Sequence, residues 1–172
     1  SGGSVKCWGY NGNAQLGNGT AIDSSTPVDV IGLSTGVAAI WMGGNFSCSL
    51  TTVGGVKCWG GNFWGELGTG TETKTPPFGI ATPVEANGLG SGVVAVTAGL
   101  VHACALTDAG SVKCWGYNGQ GQLGNGTTNS NATPSDANGL STGVVAIAAG
   151  GESACALMNG GFVRCWGKND FG

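Results

Sequence analysis

The sequence predicts an all-β protein made of β-propeller blades of four antiparallel strands. It holds about three blades plus an overhang, as part of a larger propeller or an open repeat array. Three observations carry this. Val-Lys-Cys-Trp-Gly starts at Val5, Val56 and Val112 and returns as Val-Arg-Cys-Trp-Gly at Val163, in steps of 51, 56 and 51 residues. Each unit holds four short apolar runs separated by turn residues. Six of the seven cysteines fall into three pairs, each ten positions apart. Four short strands in a repeat of this length form a propeller blade.

The landmarks divide the chain into units at about 5–55, 56–111 and 112–162, with 163–172 opening a further one. Leu-Gly recurs at Leu16, Leu67 and Leu123, and Thr-Pro at Pro27, Pro83 and Pro134. The second unit is longer by five residues, which fall between Leu67 and Pro83 and read as a lengthened surface loop. In the first unit the strands are expected at Pro27–Ile31, Val37–Trp41, Ser47–Leu50 and Val56–Trp59. Glycine, at 36 of 172 residues, argues against helix throughout.

The cysteines fix the register of one hairpin per unit. If Cys104 faces Cys114, then Ala105 faces Lys113, Leu106 faces Val112, and Asp108-Ala109-Gly110 is left as the loop. The same arithmetic pairs Cys48 with Cys58 around Thr52-Val53-Gly54, and Cys155 with Cys165 around Asn159-Gly160-Gly161. All three loops have three residues and end in glycine, as a hairpin loop with a left-handed last position requires. Cross-strand disulfides are therefore expected at all three, and with them an oxidising compartment. Zinc is the weaker reading, because the spacing is wrong and His102 is the single histidine. Cys7 matches the second member of a pair whose first member would lie ahead of Ser1. The chain is thus expected to begin inside a repeat, with Cys7 unpaired or bonded between chains.

Val112–Thr127 (Val-Lys-Cys-Trp-Gly-Tyr-Asn-Gly-Gln-Gly-Gln-Leu-Gly-Asn-Gly-Thr) and Ala98–Leu106 (Ala-Gly-Leu-Val-His-Ala-Cys-Ala-Leu) resemble the regulator-of-chromosome-condensation repeat family. The resemblance covers the whole chain and is closest to the family's secreted, disulfide-bearing bacterial branch. It implies a closed, typically seven-bladed propeller. One secreted bacterial relative uses its propeller face to bind and inhibit β-lactamases, which implies a binding role.

Composition narrows the function further. Net charge is −3 and charged residues are 9%, so no basic surface awaits nucleic acid. No apolar run is long enough to insert in a membrane. No enzyme signature or cofactor motif is present: His102 alone would have to serve any nucleophile, and the acidic residues read as scattered. His102 reads as a hydrogen-bonded strand-end residue, with a ligand or partner contact as the alternative. The Trp at 8, 59, 115 and 166 reads as blade-to-blade packing, each two positions after a cation on the same strand face, where a cation–π contact is available. The non-repeated aromatics Trp41, Phe63 and Trp64 are the candidate partner contacts. Four sequons stand at Asn18, Asn45, Asn125 and Asn131. Turn chemistry accounts for Asn18 and Asn125, and Asn131 is the first candidate to carry a glycan.

These readings favour a secreted, non-enzymatic scaffold that binds a protein or glycan, located outside the cell, in a periplasm or on a cell surface. Further copies of the chain are the alternative partner, stacked blade on blade into an extracellular fibre or layer. Nucleotide exchange on a GTPase, the activity of the family's founder, fits the charge and the cysteines least.

Overall fold

A computed structural model describes residues 2–170. Its thirteen strands are β1 (Lys6–Gly9), β2 (Ser24–Asp29), β3 (Val37–Met42), β4 (Phe46–Thr51), β5 (Val56–Gly61), β6 (Gly79–Glu85), β7 (Val93–Ala98), β8 (His102–Thr107), β9 (Val112–Gly116), β10 (Asn131–Asp136), β11 (Val144–Gly150), β12 (Ser153–Met158) and β13 (Val163–Gly167). They form antiparallel sheets in the orders β3-β4-β5-β6, β7-β8-β9-β10 and β11-β12-β13, with β1-β2 as a two-stranded sheet. The sheets are offset from the sequence period: a blade starts at Val37, so Val-Lys-Cys-Trp-Gly is its third strand. In the first unit the outer strand starts at Ser24, three residues ahead of the expected Pro27.

The cysteine arithmetic gives the observed register. Cys48 faces Cys58, Cys104 faces Cys114 and Cys155 faces Cys165, with Ala105 opposite Lys113 and Leu106 opposite Val112. The paired sulfurs stand at disulfide distance, 2.13, 2.07 and 2.11 Å apart. Gly54, Gly110 and Gly161 close the loops with φ of 80°, 75° and 82°, the left-handed region that a β-carbon disfavours. Cys7 is buried and unpaired, and burial pushes its thiol pKa up.

Neighbouring blades pack through the repeated tryptophan. Pairing of each third strand with the outer strand slips beside this residue: Cys58 faces Val84 but Gly60 faces Ile80, and Cys114 faces Ser135 but Gly116 faces Asn131. Gly60 and Gly116 then take positive φ. Trp59 and Trp115 are fully buried in the seams. Trp59 Nε1 donates to Gln15 O at 2.9 Å, Trp115 Nε1 to Glu66 O at 2.8 Å and Trp166 Nε1 to Gln122 O at 2.7 Å. Each indole thus caps the turn of the preceding unit, in keeping with the packing role expected of it. Trp8, the same residue in β1, is 61% exposed.

The expected cation–π pairing with these tryptophans is not the observed arrangement. Lys6 Nζ lies 2.6 Å from Asp29 Oδ1, and Lys113 Nζ lies 2.7 Å from Asp136 Oδ1. Lys57 faces Glu85 in the same register. The slip in pairing turns the indole into the seam, while the lysine stays opposite an acid on the outer strand. Asp29, Glu85 and Asp136 therefore recur in phase, a pattern hidden when the acids are read as scattered.

A second repeated device holds the long turns. The side chain of Asn118 donates to Thr127 O and Asn129 O, both at 3.0 Å, and accepts from Leu123 N at 2.8 Å. Asn11 does the same with Thr20 O, Ile22 O and Leu16 N. Both are fully buried, so the amide replaces the strand hydrogen bonds that a turn lacks.

Candidate functional site

The turns joining β1 to β2, β3 to β4, β5 to β6, β7 to β8, β9 to β10 and β11 to β12 all lie at one end of the sheets, because alternate connections in an antiparallel sheet share an end. Most of the residues that depart from the repeat are at this end, so it is the candidate binding surface. Trp41, on β3, is half-buried against the core between the first two complete blades. Met42 beside it and Leu100 in the next turn are exposed. The turns are tied across seams by Gly44 N to Leu100 O at 2.9 Å and Leu100 N to Gly151 O at 2.8 Å.

Phe63 and Trp64 stand in the turn after β5, where the first and third units carry Gly12-Asn13 and Gly119-Gln120. In those units a tyrosine two residues earlier, Tyr10 or Tyr117, folds over the glycine. The second unit exchanges the two sizes, with Gly61 first and Phe63 second. Phe63 and Trp64 meet edge to face with centroids 4.9 Å apart, and Trp64 lies 5.0 Å from Tyr117 of the following turn. Phe78 closes the group at 6.1 Å from Phe63, and both phenylalanines remain more than a third exposed. The lengthened loop folds back so that Lys74 Nζ lies 4.1 Å from the centre of Phe63 and 4.4 Å from that of Trp64. Lys74 also donates to Phe63 O and pairs with Glu72 Oε2 at 2.9 Å. The loop hangs on the shared asparagine, since Asn62 Nδ2 donates to Thr71 O at 3.0 Å and Thr73 N donates to Asn62 O at 2.8 Å.

Glu66 lies beneath this cluster, buried, with Oε2 accepting from Trp64 N at 2.8 Å. Gln15 and Gln122 make the same contact in the other units, to Asn13 N and Gln120 N. Burial raises the Glu66 pKa, against backbone hydrogen bonds from Glu66 and Trp64 and the Lys74 charge. A group whose folded pKa is raised stabilises most while protonated in both states, and that stability falls as pH rises through the folded pKa. Glu66→Gln is therefore expected to raise the urea midpoint at neutral pH, with the gain vanishing in acid below the ordinary carboxylate range. The amide leaves one group unpaired, as Gln122 Nε2 is, but that costs less than a buried charge.

His102 opens β8 and is fully buried, and neither ring nitrogen has a hydrogen-bond partner. This corrects both readings of it: the ring is neither hydrogen-bonded nor available at the surface. It lies over Gly99, as Phe46 lies over Gly43 in the preceding blade. Burial lowers its pKa to about 4, only partly opposed by the charge of Glu152. No group of three metal-ligating side chains occurs among the described residues.

Of the sequons, Asn18 and Asn125 each accept from the hydroxyl of the threonine two residues on, at 2.8 and 2.9 Å. Asn45 is exposed in the β3–β4 turn. Asn131 has a structural duty that its sequence did not suggest: it starts β10 opposite Gly116 and its Oδ1 accepts from Thr133 N at 3.0 Å.

Four-stranded antiparallel sheets that repeat with a capping tryptophan at every seam define a β-propeller repeat protein. The model of the regulator of chromosome condensation (RCC1) repeat matches residues 2–50 and 109–157, and a second RCC1 repeat model matches 93–122 and 144–172. The chain belongs to the RCC1 repeat family. It is 33% identical over 96% of its length to the mitochondrial RCC1 domain-containing protein RUG3 of Arabidopsis thaliana. It is 36% identical over 80% of its length to the human E3 ubiquitin-protein ligase HERC2. These relatives are eukaryotic. The chain spans 38% of RUG3 and 3% of HERC2. Among solved structures it superposes on human WBSCR16 with a TM-score of 0.81 at 24% identity, covering 98% of this chain and 44% of that one. It superposes on yeast RCC1 (Prp20), in a crystal structure with Kap60 bound, with a TM-score of 0.79 at 23% identity, covering 96% and 40%.

Proposed function

We propose that the chain is part of a secreted, non-enzymatic RCC1-type propeller that binds a protein or glycan partner through its turn-bearing end. The observation that carries this reading is a cross-strand cysteine pair at disulfide distance in each of three blades. Such regularity suits an oxidising compartment, and with it the disulfide-bearing bacterial branch of the family. Binding is supported by the chain-specific aromatic cluster at one end and by relatives whose solved structures concern protein partners: yeast RCC1 with Kap60, and Prp20p with Gsp1p and histones. Exchange-factor activity is the weakest reading, given the net charge of −3 and the paired cysteines.

A stacked extracellular fibre is the second reading. In the 172-residue chain the terminal sheets expose Trp8 and Val163, whereas the in-phase Trp59, Trp115, Val56 and Val112 are fully buried. Further blades of one chain or other copies would cover these exposed residues. The test is a thiol count on protein isolated from its native compartment and denatured without reductant. Read peptide by peptide, Cys48, Cys58, Cys104, Cys114, Cys155 and Cys165 are expected to be unreactive, and all six reactive after reduction. Labelling of these six without reductant would overturn the secreted reading. A particle mass that grows without limit with concentration would move the reading to the fibre.

A further inference from the structure

We propose that the corner between Phe63 and Trp64 is an exchangeable ammonium site. Lys74 is its resting occupant, and the alkylammonium group of a partner takes the place of Lys74. The two rings stand at 78° to each other with centroids 4.9 Å apart, and the Lys74 nitrogen sits where both rings reach it. An ammonium against two ring faces is the arrangement by which aromatic cages hold alkylated amines. The remaining sides are polar in the required sense: the Phe63 carbonyl accepts a hydrogen bond and the Glu72 carboxylate supplies the countercharge.

The walls do not depend on Lys74. Trp64 packs on Tyr117, Phe63 packs on Phe78, and Gly65 lies so close to Ala132 of β10 that a β-carbon there would stand 2.3 Å from Ala132 Cβ. Asn62 holds the loop up to Thr73 independently. The Lys74 side chain itself is 44% exposed, so it can leave without unpacking a core. Phe63, Trp64 and Lys74 belong to the second unit alone. Its neighbours carry glycine where Phe63 stands and lack the five extra residues that deliver Lys74. A tethered group competes as if present at about millimolar concentration, so Lys74 sets a threshold that a weak or isolated cation does not cross.

The experiment titrates tetramethylammonium chloride into the folded chain at constant ionic strength and follows the Trp64 indole by NMR. Neopentyl alcohol, of similar size and uncharged, is the control. Lys74→Ala is expected to bind the cation with a dissociation constant of about millimolar order, about twofold tighter than the unsubstituted chain, where the tethered ammonium competes at a similar effective concentration. The alcohol should not bind, and Trp64→Leu in the Lys74→Ala background should abolish binding. Lys74→Ser serves as a second variant if the alanine form loses its fold. Equal affinity with and without Lys74, equal affinity for the alcohol, or binding that survives Trp64→Leu would each overturn the proposal.

Discussion

Trp115→Ala is expected to destabilise the chain by about 4 kcal/mol, the usual cost of removing a fully buried indole. The side chain lies in the seam between two complete blades, in contact with the core cluster that includes Leu67, Ala86, Leu89 and Val96. Three losses combine. The indole's apolar surface is removed, a cavity opens, and Glu66 O loses the donor it holds at 2.8 Å. The cavity cannot collapse easily, because the turn approaches the ring through Gly68, where a β-carbon would stand 3.1 Å from Trp115 Nε1. Gly68 has a φ of 73°, so the backbone there is already committed to the turn.

The measured form of the loss matters as much as its size. Repeat proteins are stabilised by units and by nearest-neighbour interfaces. Removing the seam residue is therefore expected to lower the urea midpoint and to split one unfolding transition into two. Trp115→Phe should cost less, about 1–3 kcal/mol, since it keeps most of the packing and loses the hydrogen bond. In the 172-residue chain, Trp8→Ala is the matched control. It removes the same motif residue from an exposed position and should change stability by no more than about 0.5 kcal/mol. An unchanged midpoint for Trp115→Ala would mean that the seam does not couple the blades.

What the sequence reveals and what it hides divide along the same line. Within a hairpin, partners ten residues apart are fixed by loop length and by the two-residue alternation of a strand, so the register of Cys48, Cys104 and Cys155 could be read directly. Across a seam the partners are 44 to 49 residues apart, as with Trp59 and Gln15 or Trp115 and Glu66. No local rule selects them. The slip in pairing beside each tryptophan also defeats simple alternation, which is why the lysines meet Asp29 and Asp136 and not the indoles. The asparagines at 11, 62 and 118 recur in phase as clearly as the tryptophans, and that recurrence was the available signal for the turn device. For Phe63 and Trp64 the sequence offered their departure from the repeat. It could not show that Lys74 returns to them, since a loop of ten residues leaves many paths open. His102 misled for a different reason: its neighbours in phase are Phe46 and Ser153, and only the former describes its environment.

His102→Phe is expected to make the protein markedly more tolerant of acid. In the folded chain the imidazole is fully enclosed, with both nitrogens unpartnered, and burial holds its pKa near 4 against an ordinary 6.5. The unfolded chain therefore takes up a proton between these values while the folded chain does not. Stability is fully present above pH 6.5 and is lost as pH falls through this window, by about 3 kcal/mol in all at 1.36 kcal/mol per pH unit. Glu152 draws a charge toward the ring, but its carboxylate is already paired with Lys168 Nζ at 2.9 Å. Phenylalanine has no proton to gain, and the preceding blade shows that the site accepts it: Phe46 occupies the equivalent position, buried, over Gly43. Removing two unpaired buried nitrogens should also raise stability at neutral pH by about 1–3 kcal/mol. Urea midpoints at pH 7 and pH 4.5 separate the two effects. The variant should lead at both, and its lead should widen in acid. A lead that stays constant between the two pH values would mean that His102 does not titrate on unfolding as its burial requires.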